Sequence, residues 1–192
     1  MISAIVLAAG ESKRMGQPKM LMPWGESTVL QTVIATIQAA GIADILVVTG
    51  GARRQVEALV GRSVQTVHNE EYMKGEMLGS IQTGLKVKMP QAAAALICLG
   101  DQPQVREASV REVWETFIRS SSPIVVPSYK MHRGHPWLLA RPLWDEFLAM
   151  EAPFTPRDFL KKHSDQIKHV EIDHPSILED LDTPEDYLKF RS

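Results

Sequence analysis

The sequence predicts an α/β fold, with a largely parallel sheet, right-handed crossovers and helices on both faces. Three observations predict it. Apolar runs at residues 2–9, 45–48 and 64–67 have the length and branching of strands and alternate with helical patterns, giving β-α-β-α-β. Residues 92–99 form the most apolar run in the chain and read as a central strand buried on both faces. The chain has 192 residues, 44% hydrophobic and 23% charged, which suits one globular domain with a sizeable core over residues 1–192.

The elements follow in order. The first strand breaks at Gly10 into a loop, and Pro23-Trp24-Gly25 marks a turn. Thr28 with Gln31 reads as a capping box, Val29, Leu30, Val33, Ile34 and Ile37 repeat on one helical face, and Gly41 ends that helix. Gly50-Gly51 leads from the second strand into a helix near 54–60. Residues 75–84 introduce a further helix whose Leu78, Ile81 and Leu85 share a face, with Ser80 near its start either capping it or meeting a ligand. Ser109 with Glu112 reads as another capping box, ahead of a core-facing stripe of Val110, Val113, Trp114, Phe117 and Ile118. Strands at 124–126 and 137–139 follow, then a helix starting at Pro142, a short helix opened by Thr155-Pro156 and a late strand at 168–172. Thr183 is a natural N-cap, with Pro184 at the first helical position. No internal repeat, low-complexity tract or long linker divides the chain.

The loop after the first strand carries the chemistry. A buried strand that ends in glycine and is followed by Ser12, Lys13, Arg14, Gly16 and Lys19 is a design for holding an anion. Gly10 and Gly16 let amide N–H groups converge, while Arg14 and Lys19 add a planar fork and a point charge. Two familiar phosphate loops fail the test. A P-loop needs G-x-x-x-x-G-K-[ST], but here five residues separate Gly10 from Gly16 and Gln17 stands where the lysine belongs. The dinucleotide fingerprint fails because Ser12 occupies its second glycine, which disfavours a nicotinamide or flavin redox enzyme. The apolar run 92–99 ends in Gly100-Asp101-Gln102-Pro103. Ligands gather beyond the carboxyl ends of strands in open α/β sheets, so Asp101 faces the same edge as the Gly10 loop, unless it only begins a turn before Pro103. A carboxylate beside phosphates calls for a cation between them, and Mg²⁺ suits that role.

Residues 7–19, L-A-A-G-x-S-x-R-M-G-x-x-K, resemble the signature of the MobA-like NTP transferases, the nucleotidyltransferases that include molybdenum cofactor cytidylyltransferases and their guanylyl relatives. Other segments occur in the family's order: G-x-x-x-x-S-I at 75–81, Gly100-Asp101-Gln102-Pro103, Gly134-His135-Pro136, and D-x-D-T-P-E-D at 180–186. The resemblance covers nearly the whole chain. It implies a three-layer α/β/α, Rossmann-like domain with a mixed, mostly parallel sheet, of the nucleotide-diphospho-sugar transferase type. It also implies Mg²⁺-dependent transfer of CMP from CTP onto the terminal phosphate of molybdopterin, releasing pyrophosphate. By the same resemblance Leu7, Ala8, Ala9, Gly10, Arg14, Lys19 and Ser80 would bind the nucleotide, with Arg14 and Lys19 catalytic. Asp101 and Asp182 would hold the metal, with Asp180 a further candidate. His135 would contact the acceptor without transferring a proton, in an acceptor-side subregion at about 130–174. Ala8-Ala9-Gly10 resembles the cytidylyl type; the guanylyl type more often has glycine at the position of Ala9, whose methyl would narrow the base pocket. Taken as residues alone, His132-Arg133-Gly134-His135-Pro136 is a connecting loop, with no cysteine partner or second ligand pair to make a structural zinc site. A helix N-terminus accounts for Glu185 and Asp186.

Composition limits the partners. A net charge of −2 and dispersed Lys and Arg leave no basic stripe for nucleic acid. One cysteine, Cys98, excludes an internal disulfide framework, and its apolar neighbours make it a buried small hydrophobe. No run approaches the roughly 20 apolar residues of a membrane span, so no membrane partner is expected. No basic segment precedes the first apolar run, so a cytoplasmic location is expected. Two alternatives remain. One is the same fold using GTP or acting on another phosphorylated acceptor, such as a sugar or alcohol phosphate. The other is a non-catalytic protein delivering the cofactor to a molybdenum-dependent oxidoreductase. Two carboxylates beside a triphosphate argue for catalysis, because simple binding does not need them.

Overall fold

The computed structural model describes residues 1–74, 77–88 and 90–191. In chain order its elements are β1 (Ile2–Ala8), the short strands β2 (Pro23–Trp24) and β3 (Ser27–Thr28), α1 (Val29–Ala39), β4 (Ile45–Thr49), α2 (Arg53–Val60), β5 (Gln65–His68), α3 (Met77–Lys88), β6 (Ala94–Leu99) and α4 (Glu107–Ser120). Then come β7 (Ile124–Tyr129), β8 (His132–Arg133), β9 (Trp137–Ala140), α5 (Trp144–Leu148), α6 (Pro156–Lys162), β10 (Ile167–Glu171) and α7 (Pro184–Phe190).

The main sheet runs β10-β7-β9-β6-β1-β4-β5, with β8 alongside β7. β1 pairs in parallel with β4 and β6, β4 with β5, and β7 with β10. β9 runs antiparallel to both β6 and β7, which makes the sheet mixed. The reversal positions the site: the N-terminal end of β9 lies at the same edge as the C-terminal ends of β1 and β6.

Alternate residues of β1 face opposite layers, as the two-residue period of a strand requires. Ala4, Val6 and Ala8 share a core with Leu30, Val33 and Ile34 of α1, Val56 of α2 and Val110 of α4. Ile5 and Leu7 pack with Leu78, Ile81 and Leu85 of α3, Trp144 and Phe147 of α5 and Phe159 of α6. These are the expected three layers, and they bury the central strands on both faces. Burying a side chain the size of Ile5 contributes about 1.5–3 kcal/mol. Gly84 lets α3 lie close on the sheet, since a Cβ there would stand 2.5 Å from Ile5 Cγ2. A third cluster of Met15, Met22, Val29, Leu181 and Tyr187 ties the loop after β1 to α7.

Thr28 caps α1 by accepting from the Gln31 amide, and Thr155 and Thr183 form full capping boxes with Asp158 and Asp186. Three local expectations are corrected. Ser109 is not a cap: α4 has already begun at Glu107 behind Arg106, and Ser109 is buried inside the first turn. Ile118 is 62% exposed, because five residues beyond Val113 is about 140° round a helix, off the core stripe. Residues 141–143 form a tight helical turn, and α5 proper starts at Trp144, whose indole N–H donates to the Leu139 carbonyl at 3.1 Å. Cys98 is buried, as its neighbours require. No helix among the described residues is long and apolar enough to cross a membrane.

Candidate active site

The carboxyl edge of β1, β4 and β6 opens into a cleft of about 570 Å³. Leu7, Ala9, Gly10, Arg14, Lys19, Ser80, Asp101 and Asp182 all line it. Ala8 does not; it is 1% exposed and points into the core, so only its backbone is near the cleft. Two glycines hold the strand ends together here. The Gly100 amide donates to the Leu7 carbonyl at 3.0 Å. A Cβ on Gly50 would lie 2.1 Å from the Ala9 carbonyl oxygen, so only glycine lets the end of β4 pass the loop. Within the loop Gly16 takes φ +68°, as expected. Its left-handed companion is Ser12, at φ 52°, rather than Gly10. The Ser12 hydroxyl accepts from the Lys19 amide at 3.1 Å, closing the loop on itself. Gly10 serves a different end: a Cβ there would meet nothing within 4 Å, so its lack of side chain leaves room in the cleft.

Charge gathers on the cleft floor. The Lys19 ammonium donates to the Asp101 carboxylate and lies 3.4 Å from that of Asp182. Arg14 pairs with the other Asp182 oxygen at 2.9 Å. Asp182 reaches this point because residues 177–182 are strapped across the loop after β6. The Leu181 amide donates to the Asp101 carbonyl at 3.2 Å, the Gln104 amide group donates to the Glu179 carbonyl, and Gln102 donates to Asp180 at 2.7 Å. Burial first, then the Asp101 carboxylate, push Asp180 up to about 6 against the Gln102 hydrogen bond. Among the described residues no group of three or more His, Cys, Asp or Glu could hold a metal ion. Asp101 and Asp182 are the acids that share one cation, and that cation is Lys19. Ser80 is buried inside α3, not capping it, and its hydroxyl accepts from Asn69 Nδ2 at 3.1 Å. Residues 75 and 76 of the segment expected to introduce this helix lie outside the described residues.

A second pocket of about 750 Å³ shares Met77, Leu99 and Asp180 with the first. Val126, Trp137, Leu160 and Ile177 give it apolar walls, and His135, Arg133 and Arg157 add polar groups. The reversed β9 delivers His135, whose amide donates to the Ile177 carbonyl at 2.9 Å. Gly134 is required by the same crossing, since a Cβ there would stand 2.3 Å from that carbonyl oxygen. Burial, then the neighbouring Arg157 guanidinium, lower the His135 imidazole to about 4, so it is neutral at pH 7. Among the described residues no carboxylate forms an ion pair with Arg133 or Arg157.

Sequence reasoning missed several of these residues. Asn69 is found by the strand-end rule that located Asp101, because it follows β5 at the same edge. Gln102 stands inside a quoted segment, and Arg157 directly follows Thr155-Pro156. Gly50 has no signal beyond a turn, because the carbonyl it accommodates belongs to another strand.

The model of the MobA-like NTP transferase domain matches residues 4–167. The chain belongs to that family. It is 29% identical over 191 residues to the molybdenum cofactor cytidylyltransferase of Escherichia coli K12, covering 97% of this chain and 94% of that protein. Rv0371c from Mycobacterium tuberculosis H37Rv superimposes with a TM-score of 0.87 at 27% identity, covering 99% of this chain and 97% of that one. Its structure in complex with manganese gives 0.78 at 28%, covering 98% and 96%. A nucleotidyl transferase from Methanothermobacter gives 0.84 at 25%, covering 100% and 96%. Fold and family together make this MobA-like chain an enzyme of the nucleotidyltransferase type.

Proposed function

We propose that this MobA-like protein transfers CMP from CTP to the terminal phosphate of molybdopterin and releases pyrophosphate. The observation that carries the reading is the junction of two unlike compartments at Met77, Leu99 and Asp180. One is a charged cleft that would suit phosphates; the other is larger and apolar-walled, with two guanidiniums that no carboxylate pairs among the described residues. The likeness to the Escherichia coli cytidylyltransferase over nearly the full length supports the choice of acceptor and nucleotide.

The chain's own groups account for the chemistry. Arg14 and Lys19 would meet the phosphates and stabilise the charge that grows on the α-phosphate and leaving group. Gly10 leaves space for that approach, and Ala9 would narrow the base site against a purine. The acceptor phosphate is anionic at neutral pH, so it needs no general base. Its oxygen forms the new bond to the α-phosphorus, and the bridging bond breaks with its electron pair going to pyrophosphate. Such a displacement depends mainly on alignment and charge neutralisation. Arg133, Arg157 and the neutral His135 would hold the acceptor.

The residues also fit a divalent cation. Asp101, Asp180 and Asp182 outnumber Lys19 and Arg14, and the Asp180 carboxyl is raised by burial first and then by the charge of Asp101. Asp101 and Asp182 offer hard oxygen donors, and the remaining positions would fall to phosphate and water. Mg²⁺ held there would neutralise phosphate charge. The manganese complex of Rv0371C supports this assignment.

A pyrophosphate-release screen tests the reading: CTP, GTP, ATP and UTP, each with and without molybdopterin and common phosphorylated acceptors, with Mg²⁺ or chelator. Release is expected only with CTP, molybdopterin and Mg²⁺ together. A preference for GTP would overturn the nucleotide assignment, release with another acceptor would overturn molybdopterin, and release in chelator would overturn the metal.

A further inference from the structure

We propose that Lys19 is an internal counter-ion: it holds the Asp101–Asp182 carboxylate pair, so that divalent cation and nucleotide load as one by displacing it together. The inference rests on the metal assignment above and adds a dependence between the two ligands.

Lys19 and Asp101 have opposite duties in catalysis, one toward phosphate and one toward a metal. In the structure they pair with each other. Their side chains are 10% and 15% exposed, so the pair is largely dry rather than a loose surface contact. Separating such a pair without replacement leaves two uncompensated buried charges, which is strongly unfavourable. With a divalent cation alone, Lys19 would be left beside a second positive charge with no anion to receive it. With nucleotide alone, Lys19 could turn to the phosphates only by abandoning Asp101 next to a polyanion. When both ligands arrive, every charge changes partner and none is stranded. Lys19 and Arg14 pass to phosphate as the carboxylates pass to the cation.

Three further observations make Lys19 the controlling group. Its ammonium spans both acids, since Asp182 lies 3.4 Å from it on the other side. Among the described residues Arg14 pairs with Asp182 alone, and at 67% exposure it can leave into water. Lys19 also has somewhere to go, because its side chain lines the cleft that Gly10 keeps clear. Thermodynamic reciprocity then requires that nucleotide strengthen cation binding by the same factor as cation strengthens nucleotide binding.

Mn²⁺ binding, read by the loss of the free-ion electron paramagnetic resonance signal, tests this without turnover. The full chain is titrated with Mn²⁺ alone, and with CTP but no acceptor. Lys19→Met and Lys19→Gln are expected to bind Mn²⁺ alone about tenfold or more tightly than the wild type, and to gain less from CTP. Arg14→Gln is expected to change Mn²⁺ binding much less. Circular dichroism confirms that each variant is folded, and Lys19→Gln serves where Met at a polar floor is not tolerated. Unchanged or weaker Mn²⁺ binding in the folded Lys19 variants overturns the proposal. Asp101→Asn separates its failure from that of the metal assignment. If Asp101→Asn abolishes Mn²⁺ binding while the Lys19 variants do not tighten it, only the counter-ion idea falls. If Asp101→Asn leaves Mn²⁺ binding intact, the metal assignment falls as well.

Discussion

Among the described residues two lysines are buried, at opposite edges of the same sheet, and one of them, Lys19, lines the cleft of the candidate active site. Lys88 donates to Asp44 at 2.6 Å and to Gln65 at 3.0 Å, and the Ser3 hydroxyl donates to the same aspartate. One ammonium meets one carboxylate, and neutral groups take up the remaining capacity. Lys19 meets Asp101 and Asp182, with Asp180 close behind and a cleft of about 570 Å³ in front. A buried ion pair is therefore no marker of function by itself. An imbalance of charge next to open volume is the better marker, because it leaves an interaction for a ligand to complete.

The same substitution at the two lysines gives the sharpest contrast. Lys19→Met is expected to lower turnover by roughly 10²-fold or more, the usual cost of losing a donor to developing oxyanion charge. Lys88→Met should leave turnover per folded molecule unchanged and instead cost about 3–5 kcal/mol of stability, because Asp44 is left charged and unpaired. Steady-state kinetics and urea unfolding on both variants check the pair. A stability loss at Lys19 with normal turnover would reverse the assignment.

The proposed acceptor pocket differs from both edges, since among the described residues neither Arg133 nor Arg157 is paired with a carboxylate. Arg157→Gln should raise the KM for acceptor by tenfold or more, the value of about 1.5–3 kcal/mol for a hydrogen bond to a charged group, while the KM for CTP stays put. An equal rise in both constants would mean that Arg157 acts through the fold. Two glycines make a further contrast. Gly84→Ala should cost about 1–3 kcal/mol by overpacking against Ile5, with kinetics intact. Gly10→Ala has open space and should leave the melting temperature alone, while weakening CTP if phosphates pass over that residue. Unaltered CTP affinity in Gly10→Ala would move the phosphates elsewhere.

Legibility followed locality. The strand, its terminal glycine and its basic loop lie within residues 1–19, so the element and the residues it brings to the cleft could be read directly. The layers were legible because β1 and β6 are apolar on both faces and the helices carry clean stripes. The ion pair between Lys19 and Asp101 was not, because the partners stand 82 residues apart and the sequence suggests a separate role for each. The acceptor pocket was harder still. It joins residues from β7, β9, α6 and the 177–180 strap, and the reversed direction of β9 is invisible in Trp137–Ala140, which reads as a strand either way. Arg157 looks like an ordinary surface charge until His135 is found beside it.

Acid separates the same regions by pH window, with the smallest expected effect. His135 is lowered to about 4 in the folded chain from 6.5. Between those values the unfolded chain holds a proton that the folded chain does not, so stability falls as pH drops from about 6.5 to about 4 and then levels off for this group. Asp44 acts lower. Burial pushes its carboxyl up, but hydrogen bonds from Lys88 and Ser3 outweigh that and hold it below 3.8. Its stabilisation is complete above that value and is lost as pH falls through the folded one. Melting temperatures followed from pH 7 down into the acid range below 3.8 should therefore lose the upper decline in His135→Gln and keep the lower one. Asp44→Asn should do the reverse, starting from a less stable chain at neutral pH. A decline between pH 6.5 and about 4 that survives His135→Gln would mean that a group other than this imidazole titrates there, and would remove the support that a neutral His135 lends to the proposed acceptor pocket.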